Sequence, residues 1–149
     1  MTASAIMLVA VAAMFALFAG MQRTAAREAS RSNTTDLVRV AIDRMTKDIR
    51  QASSVDLAST ASVLTMDGFV NGVPATITYD ATASNILTRT VDGNTVTLLE
   101  RMTITTVFTY APSVEDPSVI TVQVTAKPET FSIDEAAISL ASEVRLRNR

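Results

Sequence analysis

Carboxylates and lysines are the side chains left for catalysis in this chain, because the sequence contains neither histidine nor cysteine. These two absences exclude Ser-His-Asp and Cys-His nucleophile systems, thiolate metal sites and disulfide bonds. Asp67, Asp80 and Asp92 lie in or near predicted turns, but they lack the spacing of a calcium-binding loop, and aspartate often forms turns. We therefore expect no catalytic, metal or cofactor site and no small-molecule substrate.

Basic residues do not indicate a nucleic-acid-binding surface. The net charge is −2, and the one basic cluster of the predicted head, Arg145, Arg147 and Arg149, lies at the extreme end of the sequence. We expect no nucleic-acid partner.

The first 22 residues carry no charged side chain. As a helix rising 1.5 Å per residue, such a stretch covers roughly 30 Å, the thickness of a bilayer hydrocarbon core. We predict that about residues 1–22 span a membrane. A cleaved secretory signal is the alternative, but no lysine or arginine precedes the apolar run, and the helical pattern continues beyond it. The residues predicted to meet lipid or other helices are Ile6, Leu8, Val9, Val11, Phe15 and Leu17.

Residues 36–52 form a second, amphipathic helical pattern. Charged residues on its other faces, among them Asp43, Lys47 and Asp48, are expected in solvent, where Asp43 and Lys47 are spaced to pair. Asn33-Thr34-Thr35 predicts a weak point or bend between the two helical parts. A continuous helix would be roughly 75–80 Å long, too long for one small head to bury. The stripe predicted to pack on the head is Val38, Ile42, Met45 and Ile49.

After residue 53 the sequence changes to short alternating runs rich in threonine, valine and isoleucine, which predict strands. Asn71-Gly72 and Asp92-Gly93 predict hairpin turns. The last segment fits a helix starting at a capping box, Ser132 to Glu135, and fits a strand equally well; we predict a strand. The other predicted strands are Ser62–Met66, Ala75–Tyr79, Asn85–Val91, Thr95–Leu99, Met102–Tyr110 and Val119–Thr125.

These patterns predict the α+β class, with a long N-terminal helix over residues 1–53 and a β-rich head over residues 54–149. The helix would be transmembrane first and amphipathic afterwards. One antiparallel sheet is expected to pack one face on the amphipathic part, because that arrangement satisfies both apolar patterns. The aromatic residues of the head are expected in its core: Phe69, Tyr79, Phe108, Tyr110 and Phe131.

Three stretches carry a resemblance to a known family. Residues 1–6 are similar to the part of a prepilin helix just after the processing motif, residues 41–52 to the later helix of W-type minor pilins and J-type pseudopilins, and residues 142–148 to the closing strand of many of these proteins. The chain thus resembles the type IV pilin-like proteins. The family's basic leader, Gly-Phe-Thr motif and following glutamate are not in this sequence, and we expect that it starts at an internal methionine.

The resemblance implies a structural subunit of a type IV pilus or type II secretion-like filament. Such a subunit waits in lipid as a single-pass inner-membrane protein with its head outside the cytoplasm, and then joins other pilin-like subunits through its N-terminal helix. A membrane-tethered binding or sensory module unrelated to pilins is the alternative.

Overall fold

The computed structural model describes residues 2–83, 85–129 and 136–146, and at residues 2–6, 8 and 9 it describes the backbone alone. Over these ranges the protein is α+β, as predicted: one long helix followed by antiparallel sheets. The elements are α1 (Thr2–Gln51), β1 (Ser54–Val55), β2 (Val63–Val70), β3 (Val73–Asp80), β4 (Ile86–Val91), β5 (Asn94–Glu100), β6 (Phe108–Ala111), β7 (Val119–Ala126) and β8 (Ile138–Arg145).

Helix α1 continues without a break through residues 33–35, in keeping with the single N-terminal helix predicted over residues 1–53. The hydroxyls of Thr34 and Thr35 donate to the carbonyl oxygens of Ser30 and Arg31, both at 2.9 Å. These side chains therefore bond within the helix, one turn back, and do not draw its backbone groups away. At 1.5 Å per residue the helix is about 75 Å long.

The helix ends where its backbone meets strand β2. The Ser53 amide donates to the Asp67 carbonyl oxygen at 2.8 Å, which turns the chain into β1. A Cβ atom at Gly68 would lie 3.3 Å from the Gln51 carbonyl oxygen and 3.4 Å from the Ala52 Cα atom. Glycine at this position therefore lets the helix end lie directly on the sheet.

The head contains two antiparallel sheets in place of the single sheet predicted. One has the order β1-β2-β3-β4-β5 and the other β6-β7-β8. The predicted strand Met102–Tyr110 is divided because this segment crosses between them. Met102 bridges to Ala126 of the second sheet, while the amides of Val107 and Phe108 both donate to the Ala61 carbonyl oxygen beside the first.

Both predicted hairpin turns are confirmed. Asn71 and Gly72 join β2 to β3 with φ angles of 54° and 82°, and Asp92 and Gly93 join β4 to β5 with 47° and 85°. Positive φ at two successive residues is the geometry that Asn-Gly and Asp-Gly favour. The predicted closing strand is confirmed as β8, which pairs with β7. The alternative capping box, residues 132–135, lies outside the described residues.

The core lies between the C-terminal part of α1 and the inner faces of the sheets, where the helix packs against β2, β5, β7 and β8. Tyr79 and Phe108 are fully buried there, with ring centroids 6.5 Å apart. Phe69 is 44% exposed, contrary to expectation, because it points to the outer face of β2 opposite Pro74. Phe131 lies outside the described residues. The helix residues that enter this core include Val38, Ile42, Met45 and Ile49.

We expect Ile42→Asp to unfold the head, because it places an unpaired carboxylate in the core at a cost of at least about 3 kcal/mol. Val40→Asp is the matched control, since Val40 lies on the opposite side of the same helix and is 66% exposed. Urea unfolding of a fragment comprising residues 29–149 measures both. Equal midpoints for the two variants would contradict the described packing.

Candidate interaction surface on the long helix

The N-terminal part of α1 extends beyond the head. Every residue from Ala10 to Ala29 is exposed, and the first to be partly covered is Ser30. The Ser30 hydroxyl donates to the Glu129 carbonyl oxygen at 2.9 Å, where the head first meets the helix. We call residues 7–29 the protruding segment.

The protruding segment exposes large apolar side chains along about half of its circumference. Phe15 and Leu17 are each 70% exposed, and Val11 is also exposed. Ile6, Leu8 and Val9, which belong to the same predicted set, have side chains outside the described part of the structure. The other exposed apolar residues are Met7, Met14, Phe18 and Met21.

Within the residues that the structure describes, no helical stretch meets the combined length and hydropathy needed to cross a membrane.

An apolar surface of this extent indicates a partner. Burying one large apolar side chain is worth about 1.5–3 kcal/mol, so several of them left in water on one segment are unfavourable. Contiguous exposed apolar patches larger than a few hundred Å² are rare on soluble monomers and mark interaction surfaces. The protruding segment is therefore the candidate functional site of this protein.

A buried polar cluster fixes the helix on the head. The Asp48 side chain, in a residue 3% exposed, accepts a hydrogen bond from the Tyr79 hydroxyl at 2.7 Å and one from Arg89 Nε at 2.8 Å. Arg89 Nη2 also lies 2.7 Å from the same Asp48 oxygen, an ion-pair distance, although its direction does not make a hydrogen bond. The cluster therefore joins α1 to β3 and β4 at one position.

The cluster changes the titration of both partners of Asp48. Burial, and then the hydrogen bond to Asp48, raise the pKa of Tyr79 far above its ordinary value. Burial alone would lower the pKa of Arg89, but hydrogen bonds to Asp48 and Tyr79 outweigh it, so this pKa lies above its usual value. Tyr79 therefore stays neutral and Arg89 stays charged over the physiological pH range.

The expectation that Asp48 lies in solvent is wrong. Its helical position places it at the edge of the apolar stripe, and the sheet supplies a phenol and a guanidinium that satisfy its charge. The expected pairing of Asp43 with Lys47 is not formed within 4.0 Å. Arg44, one turn before Asp48, instead lies 3.8 Å from its carboxylate at the solvent edge.

The aspartates considered as cation ligands do not form a site. Among the described residues, no three acidic side chains come together. Asp67 accepts a hydrogen bond from the Thr76 hydroxyl at 2.8 Å, and Asp92 accepts one from the Thr76 amide at 3.2 Å. Asp80 accepts a bond from the Thr82 amide at 2.7 Å. All three bind nearby groups of strands and turns.

The structure also brings together basic residues that are far apart in sequence. Arg145 of β8 and Arg50 of the last turn of α1 line one groove of about 680 Å³, together with Glu143 and Leu146. Arg147 and Arg149 lie outside the described residues. Sequence reasoning missed Arg50 as a neighbour of Arg145, because only the packing of β8 beside the helix end creates it.

Comparison of the chain with protein-family models, with curated proteins and with solved structures found no match.

We expect Arg89→Met to lower the free energy of unfolding by about 3–5 kcal/mol, because it leaves the Asp48 charge buried without its cation. Arg44→Met is the control; its side chain is 44% exposed and more distant from Asp48, so its loss should cost less than about 1 kcal/mol. Urea unfolding of residues 29–149 checks both. Adding Asp48→Asn to Arg89→Met should recover part of the loss, and no recovery would contradict a charge effect.

Proposed function

We propose that this protein is a structural subunit of a pilin-like filament, a minor pilin of the W type or a type II secretion pseudopilin of the J type. The protruding segment carries the proposal: a long apolar helix stands clear of a head that is anchored rigidly to its other end. This division fits a subunit whose head is a folded unit of its own and whose helix makes the contacts of assembly.

The packing of the head supports this assignment over a role in which the helix merely completes the core. The head already covers the stripe from Val38 to Ile49. Ser30 is the most N-terminal helix residue for which the structure describes a hydrogen bond to the head. The protruding segment therefore remains available for lipid before assembly and for the helices of other pilin-like subunits afterwards. Repeated contacts between unlike surfaces of identical subunits build open filaments.

In this proposal the protein begins as a single-pass protein of the inner membrane with its head outside the cytoplasm. It then passes into a filament at the cell surface or in the periplasm. The chemistry is assembly, with no catalytic step and no cofactor.

We expect Leu17→Arg to block incorporation into filaments, because a charged side chain on the apolar helix is unfavourable in lipid and cannot be matched in an apolar helix bundle. Val73→Arg, a comparable exchange at an exposed head position, is the control. The full gene product is produced in its own cells, filaments are sheared off, and the subunit is probed beside its partners.

Two results would contradict the proposal. One is normal incorporation of the Leu17→Arg variant. The other is a wild-type chain that never co-purifies with filaments or pilin-like subunits while its head binds a soluble ligand from a membrane tether. That second result would establish the tethered binding module instead.

A further inference from the structure

Three arginines follow the apolar residues of α1 and lie on one side of the helix. Arg23, Arg27 and Arg31 are spaced four residues apart, and each is exposed. At about 100° per residue, successive members of this set differ by about 40° around the helix, so all three lie within an arc of about 80°. None of them takes part in an ion pair in the part of the chain that the structure describes. We call these three residues the arginine face.

Charge is distributed unequally between the helix and the head. Residues 1–53 carry seven basic and four acidic side chains, a net charge of +3, whereas residues 54–149 carry six basic and eleven acidic side chains, a net charge of −5. An anionic surface below the head therefore attracts the arginine face, while the charge of the head as a whole is repelled from it.

Helix geometry directs the arginine face toward the apolar end of the chain. Every Cα–Cβ bond of an α-helix is tilted toward the helix N-terminus, and the exposed apolar residues, among them Phe18 and Met21, lie N-terminal to the arginines. A long arginine side chain in this position extends back along the helix, with its methylene groups against apolar surface and its guanidinium group at the boundary with water.

The length of helix between the apolar residues and the head matches the thickness of a lipid headgroup layer. Gln22 is the last residue before the first arginine, and Ser30 makes the first described hydrogen bond to the head, to the Glu129 carbonyl oxygen. The eight-residue step from Gln22 to Ser30 corresponds to about 12 Å along the helix axis. The polar region on each side of a bilayer is roughly 5–8 Å thick, so it fits in this interval, below the head.

We propose that the arginine face binds the phosphate groups of anionic phospholipids and thereby sets how deeply α1 sits in the membrane. This inference rests on the proposed function, because it names the lipid class that holds the subunit before assembly. Each guanidinium presents paired N–H donors that match the oxygens of a phosphate group. A nucleic acid would offer the same phosphates but leave the neighbouring apolar residues in water, whereas a bilayer accommodates both.

Quenching of a fluorescent probe beside the arginine face tests this contact. The chain has no cysteine, so Gly20→Cys provides a single site for the probe, and a Cβ atom at this position meets nothing within 4 Å. Gly20 precedes Arg27 by seven residues, about two turns, and therefore lies on the same side of the helix. A probe at Phe18→Cys, about 160° away around the helix, reports on the opposite side.

The full chain is reconstituted into phosphatidylcholine vesicles at low ionic strength, where charges are weakly screened. The quencher is a nitroxide placed just below the headgroup of either phosphatidylglycerol or phosphatidylcholine. We expect the probe at position 20 to report a preference for phosphatidylglycerol of at least about fivefold, the effect of one arginine near an anionic surface. The probe at position 18 should report a smaller preference, and excess inorganic phosphate at constant ionic strength should not compete.

Removal of the arginine charges should abolish the preference. The test variant combines Arg23→Gln, Arg27→Gln and Arg31→Gln, whereas lysine at the same three positions should retain most of the preference because it keeps the charge. The matched control removes three basic charges from exposed positions of the same helix, level with the head, and should leave the preference unchanged: Arg39→Gln, Lys47→Gln and Arg50→Gln.

Several outcomes would overturn the lipid contact. They are a wild-type chain that stays outside the vesicles or shows no preference, a preference that survives the loss of all three arginines, an equal loss in the matched control, and competition by inorganic phosphate. If sheared filaments nevertheless contain the chain, the filament proposal stands without this contact. An arginine-dependent preference in a chain that never enters filaments supports the lipid contact and overturns the filament.

Discussion

A helix of about 75 Å emerges from a head that covers only its last part, and the other features of this protein follow from that difference in length. A domain of this size can bury a few turns of helix and no more. The backbone hydrogen bonds of α1 are satisfied within the helix, so the protruding segment persists without head contacts. Its apolar side chains cannot be buried within the helix itself, so their burial requires an apolar partner outside the chain.

The contact between the C-terminal part of α1 and the sheets holds the long helix at one end. Apolar packing of helix residues such as Met45 and Ile49 stabilises the contact, but such packing has little directional preference. Asp48 adds direction, because its buried carboxylate is satisfied only when the Tyr79 hydroxyl and Arg89 reach it together. A shift of the helix by one residue would leave a buried charge without partners, which costs several kcal/mol. The cluster thus selects one register of the helix on the sheets.

Strands from both sheets pack along the C-terminal part of the helix. The crossing segment after β5 lets strands from both sheets reach α1, and β2, β5, β7 and β8 all contact it. The face behind the helix stays uncovered because the strands lie on one side only. Val40, on that side, is therefore exposed, although its residue type would suit a core. In a proposed filament that open side is where neighbouring helices would come.

Local patterns in the sequence were sufficient for most of the elements and for many of their boundaries, although β1 was not predicted and the strand predicted over Met102–Tyr110 begins only at Phe108. The charge-free run, the Val38 to Ile49 stripe, the Asn-Gly and Asp-Gly turns and the alternating strands each report short-range physics, in which side-chain periodicity and backbone φ preferences act within a few residues. The candidate surface followed from the same patterns, since an apolar helix longer than its head can be recognised by counting residues. The closing strand needed more, because residues 138–146 fit a helix as well as a strand until their pairing with β7 decided between them.

Other features were decided only by the tertiary structure, because they depend on residues that are distant in sequence. The helical pattern places Asp48 beside Met45, at the edge of the apolar stripe, but that position alone does not bury a charge. Asp48 is buried because Tyr79 and Arg89 come to it from two strands. The division into two sheets arises in the same way, since Met102 pairs with Ala126 and Phe108 turns toward Ala61. By itself the sequence determined a long apolar helix, an amphipathic continuation and a β-rich head. The tertiary structure determined which charge enters the core and which apolar residues remain outside it, because burial depends on what packs against a residue as well as on its type.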